Sequence, residues 1–217
     1  MRRLRGEIMK RVAVIGAGAW GTAIAMATDR AGSDVLLWAR EPEVIEAINT
    51  QHENTIFLKG ISLSESVKAS NNLEDVLDRE ALFMVVPAQF TRAMCQQLVD
   101  IGLDGSIPLV LCSKGVTQQG LKFMNEVVEE TMPNPVVVLS GPTFASEVAR
   151  GLPASVILAC KDKALNKQIA STIESPNFKV FFSHDIIGAE IGGAIKNVIA
   201  VACGIAEGAG IYVEWGI

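Results

Sequence analysis

The feature that most constrains the fold is a glycine-rich loop near the start of the chain. The segment Gly16-Ala-Gly18-Ala-Trp-Gly21 follows a short apolar run, residues 12–15, and precedes a helix-like stretch, residues 20–30. In a strand–loop–helix unit, Gly16 permits a tight turn, Gly18 lets the backbone approach a pyrophosphate, and Gly21 lets the helix pack closely on the strand. The helix N-terminus adds unpaired N–H groups and a positive dipole. The loop therefore predicts a dinucleotide-binding unit.

Strand-like and helix-like segments alternate along most of the remaining chain. Short apolar runs bounded by glycine, proline or polar residues predict strands, and longer segments with one apolar face predict helices. This alternation is typical of an α/β fold with a parallel, doubly wound sheet of the Rossmann type. The predicted strands are 12–15, 34–38, 67–70, 81–86, 108–112, 136–139, 154–160 and 179–182, and the predicted helices are 20–30, 41–51, 73–77, 91–99, 122–131, 163–173 and 186–206.

The last predicted helix differs from the others because it is apolar on all sides. Residues 186–206 are long enough to cross a membrane, but Glu190, Lys196 and Asn197 lie among them, and charges at mid-span are costly in lipid. We therefore expect a helix that is buried on most sides and no membrane span. The chain ends eleven residues after Ala206, so we expect this helix to begin a second, all-helical domain that is incomplete.

These patterns divide the chain into three parts. Residues 1–10 are basic and lack an apolar stretch, which predicts a short leader and not a signal peptide. Residues 11–184 form the predicted dinucleotide-binding domain, and residues 185–217 form the start of the helical domain.

Charge and cysteine content exclude several classes of partner. The 217 residues carry a formal charge of −5, and no basic cluster follows the first eleven residues, which argues against nucleic acid. The widely spaced cysteines form no Cys-x-x-Cys and predict buried thiols in a reducing cytoplasm. With two histidines we expect no metal site. The cysteines are Cys95, Cys112, Cys160 and Cys203.

Candidate binding residues follow three of the predicted strands. Arg40 follows the second strand, with Glu41 next to it. Arginine at this position suits a 2′-phosphate whereas an acidic residue suits a free 2′-hydroxyl, so the pattern favours NADP over NAD. Phe90 follows the fourth strand, where it could pack against a cofactor or equally well join the core. Lys114 follows the fifth strand and could bind a phosphate or polarise a carbonyl.

Two later segments also carry candidate residues. The turn Gly141-Pro142 predicts a helix cap at Thr143, although its hydroxyl could instead face a ligand. Lys196 has almost no polar neighbours in sequence; a buried lysine has a lowered pKa and can act as acid or base, whereas a lysine at a helix end simply reaches solvent. Gly192 and Gly193 predict the close approach of another backbone or a ligand.

Taken together, these motifs resemble the soluble, nicotinamide-dependent glycerol-3-phosphate dehydrogenases of bacteria. The similar segments keep the family's order and extend over about residues 10–210; they are 14–22, 87–90, 113–115, 140–145 and 190–197. The resemblance implies a cytoplasmic enzyme that could form a homodimer and that reversibly reduces dihydroxyacetone phosphate to sn-glycerol 3-phosphate for phospholipid synthesis.

The resemblance also implies roles for individual residues. Lys196 would be the catalytic acid and base, and Lys114 would contact both cofactor and substrate. The implied substrate contacts are Lys114, Gly141, Thr143, Lys196 and Asn197. The implied cofactor contacts, beside Gly16, Gly18 and Gly21, are Ala19, Trp20, Arg40, Phe90, Lys114 and Ala145.

Two departures from the family and two alternative functions accompany this interpretation. The family usually has serine where Ala19 stands, and its helical domain supplies an Asp and an Arg-Asn pair that these 217 residues do not contain. One alternative is a non-catalytic NADP-binding fragment. The other is a β-hydroxyacid or 6-phosphogluconate dehydrogenase; those enzymes typically place Asn four residues after the catalytic lysine, where this chain has Ala200.

Overall fold

The computed structural model describes residues 9–210, except for the side chain of Asn197, and the predicted leader lies almost entirely outside this range. The strands are β1 (Arg11–Ile15), β2 (Asp34–Trp38), β3 (Lys68–Ser70), β4 (Ala81–Met84), β5 (Leu109–Leu111), β6 (Val136–Ser140), β7 (Ala154–Ala159) and β8 (Phe178–Ser183). The helices are α1 (Ala19–Ala31), α2 (Pro42–Gln51), α3 (Thr91–Asp100), α4 (Met124–Thr131), α5 (Ala145–Ala149), α6 (Lys163–Ile173) and α7 (Ile186–Gly208).

The strands form one sheet in the order β3-β2-β1-β4-β5-β6-β7-β8. The chain builds outward from β1 to β3, then returns to the other side of β1 and builds outward again. This reversal confirms the predicted doubly wound, Rossmann-type fold, and ligands bind such sheets at the carboxyl ends of the strands beside the reversal. Here these are the ends of β1 and β4.

The last two strands correct the prediction of a fully parallel sheet. β1 to β6 are parallel, but β7 runs antiparallel to β6, and β8 is parallel to β7. The connection from β6 to β7 contains only the five-residue helix α5, which rises about 7.5 Å. That is too short to return the chain to the amino ends of the parallel strands, so β7 starts beside the carboxyl end of β6.

Helices cover both faces of the sheet, which is why the central strands are apolar throughout. One buried cluster lies between the sheet and α1, α2, α5 and α6, and a second lies under α3, α4 and the first turns of α7. The predicted helix at 73–77 is a single 3₁₀ turn, Leu73–Val76, capped by the side chain of Asn72.

Helix α7 is exposed over most of its length, contrary to expectation. Its first two turns pack on β6 and β7, and the remainder extends past the sheet. Cys203 is consequently exposed, whereas Cys95, Cys112 and Cys160 are buried as predicted. By length and composition alone α7 could cross a membrane, and about a quarter of its most apolar window is buried against protein.

Candidate functional site

The glycine loop has the tight geometry that its sequence predicts. Gly16 has φ +111°, and a β carbon there would lie 2.8 Å from the carbonyl oxygen of Val85. A β carbon on Gly21 would lie 1.8 Å from the carbonyl oxygen of Gly16, whereas one on Gly18 would meet nothing within 4 Å. The loop therefore packs tightly on its protein side and leaves the Gly18 side open to a ligand.

The first turn of α1 is free to bind an anion. Its N-cap is Gly18, which has no side chain to bond the exposed N–H groups, and no acidic residue lies in the first turn. Such an end combines unpaired donors with the positive end of the helix dipole. Ala19 and Trp20 begin this helix, partly buried against the core.

A cleft of about 500 Å³ opens beside the glycine loop at the ends of β1, β2 and β4. This volume is within the range of small-molecule sites. Arg40 lies at its rim, 79% exposed, with a guanidinium nitrogen 3.1 Å from a carboxylate oxygen of Glu41. Phe90 is 58% exposed and lines the cleft, which excludes its alternative role in the core. Phe57 also lines this cleft.

A second cleft of about 340 Å³ continues from the first, and the two share residues 85–87. Trp20, Lys114, Thr143 and Ala145 line it. The indole Nε1 of Trp20 and the hydroxyl of Thr143 are buried and have no hydrogen-bond partner in the part of the chain that the structure describes. Phe144, not Thr143, occupies the N-cap of α5, so the capping role predicted for Thr143 is wrong. These unpaired polar atoms, with the open Gly18 side, fit a dinucleotide extending through both clefts.

Two lysines from distant parts of the chain meet beside the second cleft. The ammonium of Lys114 donates to the carbonyl oxygen of Gly141 at 3.3 Å and lies beside Lys196. Burial, followed by the positive charge of Lys196, lowers the pKa of Lys114 to about 8. The Lys196 ammonium lies 5.7 Å from the centre of the Phe144 ring, within cation–π distance. Lys196 itself is only partly buried, whereas the sequence interpretation as an acid or base assumes a buried lysine.

The approach of α7 to the sheet explains how Lys196 reaches this position. A β carbon on Gly193 would lie 3.0 Å from Ser140 Oγ and 3.6 Å from Lys114 Cγ. Gly193 therefore permits the close approach of two side chains, whereas the sequence predicts the approach of a backbone or a ligand. Among the described residues nothing lies within 4 Å of a β carbon on Gly192, so for this residue the close approach stays a prediction.

Glu190 anchors the face of α7 that also carries Gly193. The sequence analysis assigns this residue no role of its own. It is 6% exposed, and its Oε1 accepts a hydrogen bond from the backbone N–H of Asn125 at 3.1 Å. This N–H belongs to the first turn of α4, whose N-cap Phe123 has no oxygen to offer. Burial raises the pKa of Glu190 to about 7. The sequence signal was an acid within an apolar helix.

The structure thus brings most of the predicted residues to one edge of the sheet. Gly16, Gly18, Arg40 and Phe90 line the first cleft, Trp20, Lys114, Thr143 and Ala145 line the second, and Gly21 supports the loop from behind. Gly141 and Lys196 contact or adjoin Lys114. The side chain of Asn197 lies outside the described residues. Within residues 9–210 no three His, Cys, Asp or Glu side chains group as metal ligands would.

Sequence comparison identifies related proteins. The family model described as NAD-dependent glycerol-3-phosphate dehydrogenase N-terminus matches residues 11–166, and the corresponding C-terminus model matches residues 185–214. The glycerol-3-phosphate dehydrogenase (NAD(P)+) of Caulobacter vibrioides is 52% identical over 203 residues, 93% of this chain and 61% of the relative. That of Parvibaculum lavamentivorans is 48% identical over 200 residues, 92% and 60%. The chain spans about 60% of the length of these curated relatives.

Comparison with solved structures finds the same kind of enzyme as the sequence comparison. A glycerol-3-phosphate dehydrogenase from Coxiella burnetii superposes with a TM-score of 0.86 at 30% identity, over 94% of this chain and 63% of the other. The enzyme from Plasmodium falciparum gives 0.86 at 26% identity, over 94% and 60%. With its glycine loop, its strand-end residues and its paired lysines in place, the chain belongs to the NAD-dependent glycerol-3-phosphate dehydrogenase family.

Proposed function

We propose that the protein catalyses the reversible, NAD(P)H-dependent reduction of dihydroxyacetone phosphate to sn-glycerol 3-phosphate. The observation that carries this proposal is the meeting of Lys114 and Lys196 beside a cleft that continues from the glycine loop. Two adjacent cations favour a phosphorylated substrate whose carbonyl oxygen gains negative charge during reduction. The product would supply phospholipid synthesis.

The cofactor would be held by backbone groups and by a few side chains. The glycine loop and the first turn of α1, including Ala19, would bind the pyrophosphate. Arg40 would bind the 2′-phosphate, so that NADP is preferred over NAD. Trp20, Phe90 and Ala145 would line the remaining length, and Gly21 would keep α1 close to the loop. When bound, the nicotinamide supplies hydride to the substrate carbonyl carbon.

The protein's own contribution would be to orient the substrate and to move one proton. Lys196 would donate a proton to the substrate oxygen as hydride reaches the carbon, and would remove it in the reverse direction. Lys114 would hold the substrate and the cofactor together. The Thr143 hydroxyl, which is buried and has no partner among the described residues, would bond the substrate beside Gly141 and Asn197.

The domain division and cellular setting are part of the same proposal. Residues 11–184 would form the cofactor domain, and residues 185–217 would begin the helical domain that completes the substrate site. The exposed apolar residues of α7 support its burial by further protein, as in a cytoplasmic homodimer, and the charged residues Glu190 and Lys196 within the helix argue against lipid. The exposed apolar residues include Val198, Ile199, Val201 and Ile205.

NADPH oxidation by the 217-residue chain in the presence of dihydroxyacetone phosphate tests the reaction directly. Turnover, followed at 340 nm, would show that the part of the substrate site within these residues suffices for the reaction, and the Lys196→Ala variant should lose that turnover by at least about a thousandfold. NADPH binding should survive in that variant, because Lys196 lies beyond the glycine loop. Binding by the parent chain without any turnover would contradict the proposed activity for this chain and support the non-catalytic alternative.

A further inference from the structure

A buried asparagine connects the glycine loop to the irregular segment that follows α2. Asn54 is fully buried. Its Nδ2 donates to the carbonyl oxygen of Ala17 and to Oγ1 of Thr22, both at 2.8 Å, and its Oδ1 accepts from the backbone N–H of Phe57 at 3.0 Å. Both donor hydrogens and the acceptor of the amide are thus used, and two of the three bonds go to the glycine loop and α1.

These bonds fix the direction of the peptide groups around Gly18. Asn54 holds the Ala17 carbonyl toward the protein interior. Because the peptide unit is planar and trans, the N–H of Gly18 points the opposite way, toward the open side of the loop. Thr22 Oγ1, held by Asn54, donates in turn to the Gly18 carbonyl at 3.0 Å. Both carbonyls that flank this position are therefore kept away from the space an anion would enter.

Asn54 also fixes the turn that carries Phe57, a lining residue of the first cleft. Beside the bond from Phe57, the backbone carbonyl of Asn54 accepts the N–H of Leu58 at 3.0 Å. The resulting turn leaves the Phe57 side chain 44% exposed at the cleft. One buried residue consequently fixes two parts of the cleft lining, the glycine loop and the turn at Phe57.

We propose that Asn54 is a positioning residue for the dinucleotide, which it serves by holding the Gly18 N–H toward the open side of the loop and by fixing the turn that places Phe57 at the cleft. The proposal rests on the proposed function only in taking a nicotinamide dinucleotide as the ligand. If this role is correct, a substitution at Asn54 should weaken cofactor binding more than a substitution far from the cleft that destabilises the protein by the same amount.

Titration of protein fluorescence with NADPH, together with thermal unfolding, tests this in the full 217-residue chain. Asn54→Asp places an oxygen against the Ala17 carbonyl, and we expect its Kd for NADPH to rise about tenfold or more. The matched control is Asn134→Asp. Asn134 is also buried, and its Nδ2 donates to the carbonyls of Asp104 and Ile107, both at 2.8 Å, at the opposite edge of the sheet. This control variant should unfold at a lower temperature than the parent but bind NADPH with a Kd within about twofold of the parent's.

Thr22→Val provides a second variant that keeps the side-chain volume nearly constant. It removes the hydroxyl between Asn54 and Gly18, so we expect a Kd about threefold to tenfold higher. If Asn54→Asp and Thr22→Val unfold at lower temperature but bind NADPH as tightly as the parent, the proposal is wrong. A parent chain that binds neither NADPH nor NADH overturns this proposal and the proposed function together. Binding without turnover contradicts the proposed reaction alone.

Discussion

A β carbon on Gly21 would lie 1.8 Å from the carbonyl oxygen of Gly16. The obstacle is backbone, so it cannot move unless the whole turn moves with it. We expect Gly21→Ala to displace α1 from the loop, to lower the melting temperature by several degrees and to abolish measurable NADPH binding. Thermal unfolding and NADPH titration of the purified variant measure both effects.

Gly18→Ala tests whether the second glycine of the loop is needed for binding the cofactor and not for folding. A β carbon on Gly18 would meet nothing within 4 Å, so the variant should fold with nearly unchanged stability. Its methyl group would project to the open side of the loop and should raise the Kd for NADPH about tenfold or more. Equal losses of stability in the two glycine variants would refute this division of roles.

Local sequence was sufficient to predict the loop and its strand–helix context. Gly16, Gly18 and Gly21 follow a spacing set by the turn itself, and the alternating apolar pattern follows from burial on two faces of a sheet. Strand-end residues such as Arg40 and Lys114 could be assigned to one edge because parallel strands present their carboxyl ends together.

Contacts between distant segments could not be predicted in this way. The pairing of Lys114 with Lys196, and of Glu190 with the first turn of α4, depends on where α7 crosses the sheet. The reversed direction of β7 depends on the length of α5, and no periodicity signals it. Asn54 is fully buried. It lies in an irregular segment, where no sequence pattern indicates which of the polar residues is buried.

The charge of Lys196 should be measurable at Lys114. Burial and then the Lys196 ammonium lower the pKa of Lys114 to about 8, so Lys196→Met should raise that pKa toward its ordinary value of 10.5. At pH 7.5 the neutral fraction of Lys114, and hence its acylation rate by acetic anhydride, should fall about threefold to tenfold. Peptide mass spectrometry reports this rate, and Lys167→Met, an exposed lysine on α6, should leave it unchanged.

Glu190 should make stability depend on pH. Its pKa rises from 4.5 to about 7 because burial, with the charges of Glu126 and Glu129 on α4, outweighs the hydrogen bonds from the first turn of that helix. The folded state therefore binds a proton more tightly than the unfolded state. The resulting stabilisation is complete below pH 4.5 and is lost as pH rises to about 7, by up to about 3 kcal/mol.

Glu190→Gln tests this dependence, because the amide keeps an acceptor for the Asn125 N–H and cannot ionise. Urea unfolding at pH 5, 6, 7 and 8 should show the parent losing stability relative to the variant over this range. Parallel curves for the two proteins would mean that Glu190 is ionised, or solvated, throughout.

Arg40 should determine the choice between the two nicotinamide cofactors. It lies at the rim of the first cleft, and among residues 9–210 its guanidinium pairs with Glu41 alone, so the guanidinium is available to a 2′-phosphate. We expect Arg40→Ala to raise the Kd for NADPH about tenfold or more and to leave the Kd for NADH within about twofold, since NADH lacks that phosphate. Added salt should weaken NADPH binding more in the parent than in the variant. The matched control is Arg11→Ala, which removes an exposed arginine paired with Asp78 at 2.9 Å, at the amino end of β1. An equal loss of affinity for both cofactors in Arg40→Ala would instead indicate that Arg40 supports the cleft wall and does not bind the 2′-phosphate.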